Sequence, residues 1–273
     1  MNHEELNLVL NYARNFLGYG NLDAPYWFVG LEEAGVQNPG HTVVRANVWQ
    51  GNPFERNQTV DLFDYSQQLG AVGEQMHGFV QNERLDPRRW FQLQRPPTQE
   101  TWRPLIRFLL AIEHQLPAIN HEALEVIRLF QRDNWGRDNS NTCLLELFGL
   151  PKAANGAWPY ADIPRIATRE LGVAETFNQR KQALQAVLHK GVANGSLRVV
   201  LFYGGGHIIE RWSEVCGIHD WNVQLLLNSA FRWQKQGQVL FLGIAHPGRG
   251  RICCDQEAHY MRALAEWAGN ILQ

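Results

Sequence analysis

The sequence predicts an α/β fold in which helices cover both faces of a central four-stranded parallel sheet, giving three layers. Four short apolar segments have the length and composition of strands that are buried on both faces, and helical segments separate them along the chain. Strands that alternate with helices favour a parallel sheet joined by right-handed crossovers. The chain contains no internal repeat and no convincing linker, so we expect residues 1–273 to form a single domain.

The strands are identified by apolar runs and the helices by apolar residues that recur on one helical face. The predicted strands are 26–31, 141–148, 197–203 and 238–244. The predicted helices are 4–16, 102–116, 122–130, 174–192, 207–215 and 255–269. Residues from about 33 to 100 are rich in Gly, Asn, Gln and Pro, with scattered aromatic residues. Because such a stretch is too long for a simple loop, we predict an insertion that contains short helices.

Composition limits the classes of function. The chain is 45% apolar and 19% charged, which is typical of a globular protein and excludes a mostly disordered one. Its 25 basic and 27 acidic residues give a net charge of −2, so the overall charge does not indicate nucleic-acid binding, although a local basic groove stays open. No apolar run approaches the roughly 20 residues that cross a bilayer, and the acidic start is unlike a signal peptide. We therefore expect a cytoplasmic protein without membrane contact.

The four cysteines form no C-x-x-C pair and no disulfide framework. Their ordinary role is that of a buried, reduced thiol. We expect no metal, no iron–sulfur cluster and no other cofactor.

Candidate ligand-binding residues follow three of the predicted strands. Glu32 and Glu33 follow the first strand, Gly204 and Gly205 follow the third, and His246 follows the fourth. In parallel α/β sheets, ligands bind beyond the carboxyl ends of the strands. Residues from opposite halves of the chain are thus predicted to line one cleft.

The types of these residues suggest a chemistry. A carboxylate such as Glu32 can position water or stabilise developing positive charge, and its alternative role is a surface or helix-capping group. His246 can donate a hydrogen bond to an oxygen that gains negative charge, and its alternative is a buried histidine satisfied by backbone. Arg249 and Arg251 can contact phosphate or enter a groove, or they can be ordinary solvated charges. Asn141 can read a base edge or sit in a turn.

Two motifs, taken in order, resemble the uracil-DNA glycosylase superfamily. Phe28–Gly35 (FVGLEEAG) is similar to that family's first motif, in which Asp, Asn or Glu comes soon after Gly. His246–Arg251 (HPGRGR) is similar to its last motif, a His-Pro-Ser loop after the fourth strand. Val199–Gly204 resembles the family's apolar third strand, and Asn141 stands at about the place of the Asn that reads uracil. Glu33 departs from the family pattern by replacing Pro.

The resemblance implies a uracil-DNA glycosylase-like fold, a DNA partner, a monomer and no cofactor. A nucleotide would be flipped out of the stack into the cleft. Glu32 would orient water or favour the oxocarbenium-like sugar, and His246 would stabilise the anionic base. Glu33, next to Glu32, is also a candidate catalytic residue. The remaining expected contacts are Trp49 or Phe54 stacking on the base, Gly30 and Asn141 at the substrate, and Arg249, Arg251, Gly204 and Gly205 at the nucleic acid.

Three functions remain open on the sequence alone. The first is an N-glycosidase that acts on a deaminated or damaged base in DNA, which the paired glutamate and histidine loops favour. The second is a non-catalytic protein that binds nucleic acid or a nucleotide on the same fold, which the near-neutral charge and the altered motifs favour. The third is a small-molecule hydrolase in which Glu32 is the base.

Overall fold

A computed structural model describes residues 1–51, 58–75, 86–115, 121–153, 156–204, 209–247 and 254–273. Within these ranges the chain forms eight strands and eight α-helices, so the predicted α/β class is confirmed. The strands are β1 Gly18–Gly20, β2 Tyr26–Ala34, β3 Thr59–Val60, β4 Thr142–Lys152, β5 Val199–Tyr203, β6 Asn222–Leu226, β7 Ser229–Gln236 and β8 Val239–Ile244. The helices are α1 His3–Asn15, α2 Pro39–Gln50, α3 Leu62–Gln75, α4 Trp102–Ile112, α5 His121–Asp133, α6 Arg169–Ala193, α7 Ile209–Cys216 and α8 Cys254–Leu272.

The sheet has eight strands where the sequence predicted four. Its order is β3-β1-β4-β2-β5-β8-β7-β6. The four predicted strands, β4, β2, β5 and β8, are adjacent and mutually parallel. The additional strands were missed because β1 and β3 are too short to show a period, and because β6 and β7 form an antiparallel hairpin of mostly exposed or half-exposed residues.

Helices pack against both faces of the sheet. Along β2, Trp27 and Val29 belong to a core shared with α6 and α7, whereas Phe28 belongs to a core shared with α1, α4 and α8. This alternation follows from the two-residue period of a strand. Because both faces are covered, β5 and β8 are buried throughout, as their apolar sequences predicted.

Residues 33–100 carry α2, β3, α3 and the 3-10 helix Pro87–Trp90 in their described part. Short helices were predicted there, although α2 and α3 reach 12 and 14 residues. Both helices bury apolar side chains in the core that lies on the Phe28 face of the sheet.

Two further observations concern the whole fold. Cys143 and Cys216 are free and buried, as predicted, whereas Cys253 and the side chain of Cys254 lie outside the described residues. No helix in the described ranges is both long enough and apolar enough to span a bilayer.

Candidate functional site

An open cavity of about 870 Å³ lies at the carboxyl ends of β2, β4, β5 and β8. This volume lies within the range of small-molecule sites. Of the residues singled out in the sequence, Glu32, Glu33, Gly204 and His246 line it. Its other walls come from α3, from residues 87–102 and from Trp135. Residues from distant parts of the chain thus share one cavity.

Glu32 is an ion-paired carboxylate. Lys152 Nζ donates to its Oε1, and Arg169 donates to its Oε2 from Nε at 2.9 Å and from Nη2 at 2.7 Å. The Glu32 side chain is 1% exposed. Two cations around one carboxylate hold it in a single orientation and more than balance its charge.

Glu33 is the more accessible of the two adjacent glutamates. Its side chain is 24% exposed and forms an ion pair with Arg45. Tyr19 Oη donates a hydrogen bond to Glu33 Oε1 at 2.7 Å. Burial and the nearby Glu33 charge raise the pKa of Tyr19 well above its ordinary value, so this hydroxyl stays a donor at neutral pH.

The register between β2 and β4 shifts beside the two glutamates, both of which line the cavity. Glu32 pairs with Phe148, but Ala34 pairs with Lys152, so β4 contains two more residues than β2 over this interval. Such an insertion bends the strand and redirects its side chains. The strict alternation of a regular strand would have sent the adjacent carboxylates to opposite faces.

A second acidic group, Glu146, lines the cavity together with Tyr203. Gly30, a residue predicted to contact the substrate, lies between them but is not a lining residue, and we call Glu146, Gly30 and Tyr203 the Gly30 row. Glu146 on β4 is in register with Gly30 on β2, and Tyr203 follows Phe202, the β5 partner of Val29. A Cβ atom on Gly30 would lie 2.3 Å from Glu146 Oε2 and 2.7 Å from Tyr203 Oη. A side chain at this position would therefore displace one or both of the polar groups.

Glu146 has a distinct electrostatic environment. Its Oε2 atom is buried and has no hydrogen-bond partner among the described residues. Burial raises the pKa of Glu146 to about 8, and Glu33 and Glu32 add to the rise, whereas Arg180 and Lys152 oppose it. A carboxyl group with this pKa is mostly neutral at pH 7.

His246 lies half-buried beyond the end of β8. Its ring meets that of Tyr203 edge to face, with centroids 5.9 Å apart and planes at 71°. Burial raises the pKa of Tyr203 well above its ordinary value, so its hydroxyl is protonated at neutral pH. The imidazole and the phenol thus form one wall of the cavity.

Several residues predicted to act at the site are placed elsewhere. Asn141 precedes the amino end of β4, whereas the cavity lies at the carboxyl ends of the central strands. Its Nδ2 donates to the two carboxylate oxygens of Glu113 at 2.9 and 3.0 Å. Trp49 is buried in the core, where it packs edge to face on Tyr12 and Phe16. Neither residue lines the cavity. Phe54, Gly205, Arg249 and Arg251 lie outside the described residues.

The sequence reasoning missed Glu146, Tyr203 and the cations Arg45, Lys152 and Arg169. A signal for Glu146 was present, since it is the one charged residue in the apolar run 142–150, and glutamate is almost never buried without a partner. No local pattern marks Lys152 or Arg169, because their common partner Glu32 is distant in the chain.

Comparisons of the chain with protein-family models, with curated proteins and with solved structures gave no match. The residues that line the cavity are therefore the evidence on function. Within the described ranges, no group of three or more His, Cys, Asp or Glu side chains is arranged to hold a metal ion.

Proposed function

We propose that this chain is an N-glycosidase that receives a nucleotide flipped out of DNA and hydrolyses the bond between its base and its sugar. One observation carries the proposal: carboxylates at the end of β2 and the imidazole beyond β8 line the same cavity. The proposal extends to the fold, which we take to be a single uracil-DNA glycosylase-like domain whose sheet is enlarged at both edges.

The reaction needs a water molecule, stabilisation of a positive sugar and stabilisation of a departing base. Water adds to C1′ of the sugar, the C1′–N bond breaks with its electrons going to the base, and the base takes up a proton. Glu33, oriented by Tyr19 and Arg45, is the carboxylate that faces the water and the positive sugar. His246 donates to the oxygen of the base that gains negative charge.

Glu32 has a positioning role in this scheme. Because both of its oxygens are bound by cations, it holds Lys152 and Arg169 at the cavity wall. Cationic side chains at the wall favour a polyanion such as DNA over a neutral solute. Arg249 and Arg251, which follow His246 in the chain, are proposed as additional phosphate contacts.

The second candidate is a protein that binds nucleic acid or a nucleotide without catalysis. The ion pairs favour it, because Glu32 is bound by two cations and Glu33 by Arg45, so oxygens that would have to orient water already have partners.

The test is a base-release assay on single- and double-stranded oligonucleotides that carry uracil, hypoxanthine or another modified base. We expect release by the wild type, a loss of at least about 100-fold in Glu33→Gln and a smaller loss in Glu32→Gln. Glu266→Gln, at an exposed position on α8, is the matched control and should release base at the wild-type rate.

The outcomes separate the two candidates. Binding without release, unchanged by Glu33→Gln, supports the non-catalytic function and rejects the glycosidase. Absence of both binding and release rejects both. If binding is electrostatic, its affinity should fall as the salt concentration rises, and Arg169→Ala should flatten that dependence by about one unit.

A further inference from the structure

We propose that Glu146 is the residue that recognises the ligand, by hydrogen-bonding to the edge of a planar heterocycle. This inference deepens the proposed function, on which it rests only for the statement that the heterocycle is a base of DNA.

Glu146 has an unpaired carboxyl oxygen. Oε2 of Glu146 is buried at the wall of an open cavity, without a hydrogen-bond partner among the described residues. Leaving a polar atom buried and unpaired costs about 1 to 3 kcal/mol. A ligand that hydrogen-bonds to this oxygen removes the penalty, so binding is favoured at this atom.

The polar ends of Glu146 and Tyr203 lie close together in the Gly30 row. The Glu146 carboxyl and the Tyr203 hydroxyl both approach the space above Gly30, where the hypothetical Cβ lies 2.3 and 2.7 Å from them. Because both atoms lie so close to one point, Glu146 Oε2 and Tyr203 Oη are neighbours on the cavity wall, and such a pair suits a ligand edge that carries a donor and an acceptor side by side. A flat ligand also matches the aromatic walls, to which Trp90, Trp102 and Trp135 contribute.

The surroundings of Glu146 favour its neutral form. The charged or titratable groups that influence it come from four elements: Glu32 and Glu33 on β2, Lys152 on β4, Tyr203 on β5 and Arg180 on α6. Arg180 donates to the backbone carbonyl oxygen of Glu146 at 2.8 Å from Nη2 and at 3.0 Å from Nε. Burial outweighs these cations and raises the pKa of Glu146 to about 8. At neutral pH the side chain is therefore both a donor and an acceptor, as an amide is.

The experiment measures the binding of free bases to the purified full-length chain by calorimetry at pH 6.5 and pH 9.0. Uracil, hypoxanthine, adenine and cytosine are the probes, and 1,3-dimethyluracil, which lacks the N–H donor, is the negative control. We expect wild-type affinity to fall roughly 10-fold at the higher pH, because about nine-tenths of Glu146 is then ionised.

Two variants separate recognition from ionisation of the base itself. Glu146→Gln keeps a donor and an acceptor, so it should bind at both pH values and retain only the pH dependence of the base. Glu146→Leu should lose at least 10-fold in affinity at pH 6.5. Glu266→Gln should follow the wild type at both pH values. Circular dichroism establishes that each variant is folded.

A third variant tests the site without altering either polar group. Gly30→Ala introduces a methyl group between Glu146 and Tyr203 and should weaken base binding at least 10-fold.

The inference is overturned if wild type binds none of the bases, if Glu146→Leu binds like wild type, or if Glu146→Gln loses affinity with pH as wild type does. Its failure is distinguishable from failure of the glycosidase. Base binding that depends on Glu146, without base release from DNA, rejects only the catalytic proposal. Base release with unchanged binding in Glu146→Leu rejects only the recognition role.

Discussion

The Gly30 row (Glu146, Gly30 and Tyr203) and the ion-paired wall (Glu32, Lys152 and Arg169) lie two residues apart along β2, on the same cavity. Each contains a carboxyl group with a buried oxygen, since the Glu32 side chain is 1% exposed and Glu146 Oε2 is buried. In the wall, two cations bind the two oxygens of the carboxylate. In the row, no cation contacts the Glu146 carboxyl among the described ion pairs, and burial raises its pKa to about 8. The two carboxyl groups therefore differ in the cations within reach, and such partners act on a buried acidic side chain together with burial itself.

The largest effect is expected in the ion-paired wall. Glu32→Ala leaves Lys152 and Arg169 facing each other without their shared counter-ion. We expect the free energy of unfolding at pH 7 to fall by about 3 to 4 kcal/mol, at the lower end of the range for a broken buried pair, because Arg169 is 38% exposed and can turn toward water. Urea denaturation measures the change.

Arg169→Ala is the matched variant for this prediction. Lys152 still balances Glu32 in it, so the loss should be only about 1 kcal/mol. A loss smaller than about 1 kcal/mol in Glu32→Ala itself would contradict the view that the wall depends on this carboxylate.

The next effect concerns the Gly30 row and has the opposite sign. The folded state keeps the proton on Glu146 up to about pH 8, whereas the carboxyl group ordinarily titrates near 4.5. Between these values the folded state binds more protons than the unfolded state, so stability falls as pH rises. Glu146→Gln cannot ionise, and we expect it to be more stable than wild type by roughly 2 to 3 kcal/mol at pH 7, with little difference below pH 4.5.

Thermal or urea unfolding from pH 4 to pH 9 checks this prediction. Glu266→Gln, at an exposed site, should give a curve parallel to that of wild type. If the Glu146→Gln curve is also parallel, Glu146 is ionised in the folded protein, and the contrast between the row and the wall is lost.

The smallest effect on stability is expected at the amino ends of the central strands. Asn141→Ala removes two hydrogen bonds to Glu113 and should cost less than about 1 kcal/mol in stability. Base binding and base release should be unchanged, because Asn141 does not line the cavity. A 10-fold loss of either would restore the base-reading role that the sequence suggested for Asn141.

The sequence was most informative about the central strands. Fully apolar segments such as 199–203 and 239–244 identify strands covered on both faces, and their alternation with helices predicts a parallel arrangement. It was least informative at the edges, where the exposed hairpin β6–β7 and the very short β1 and β3 lack a diagnostic pattern.

The sequence by itself determined that Glu32 and Glu33 lie near the carboxyl end of one parallel strand and His246 beyond that of another, because apolar runs identify those strands, although β2 extends to Ala34 and so includes both glutamates. Only the tertiary structure decided which cations reach each carboxyl group. Lys152 and Arg169 reach Glu32 from distant parts of the chain, and Glu146 lies beside a glycine on a neighbouring strand. Local periodicity encodes burial, whereas the pairing of buried charges depends on contacts that form only when the sheet is complete.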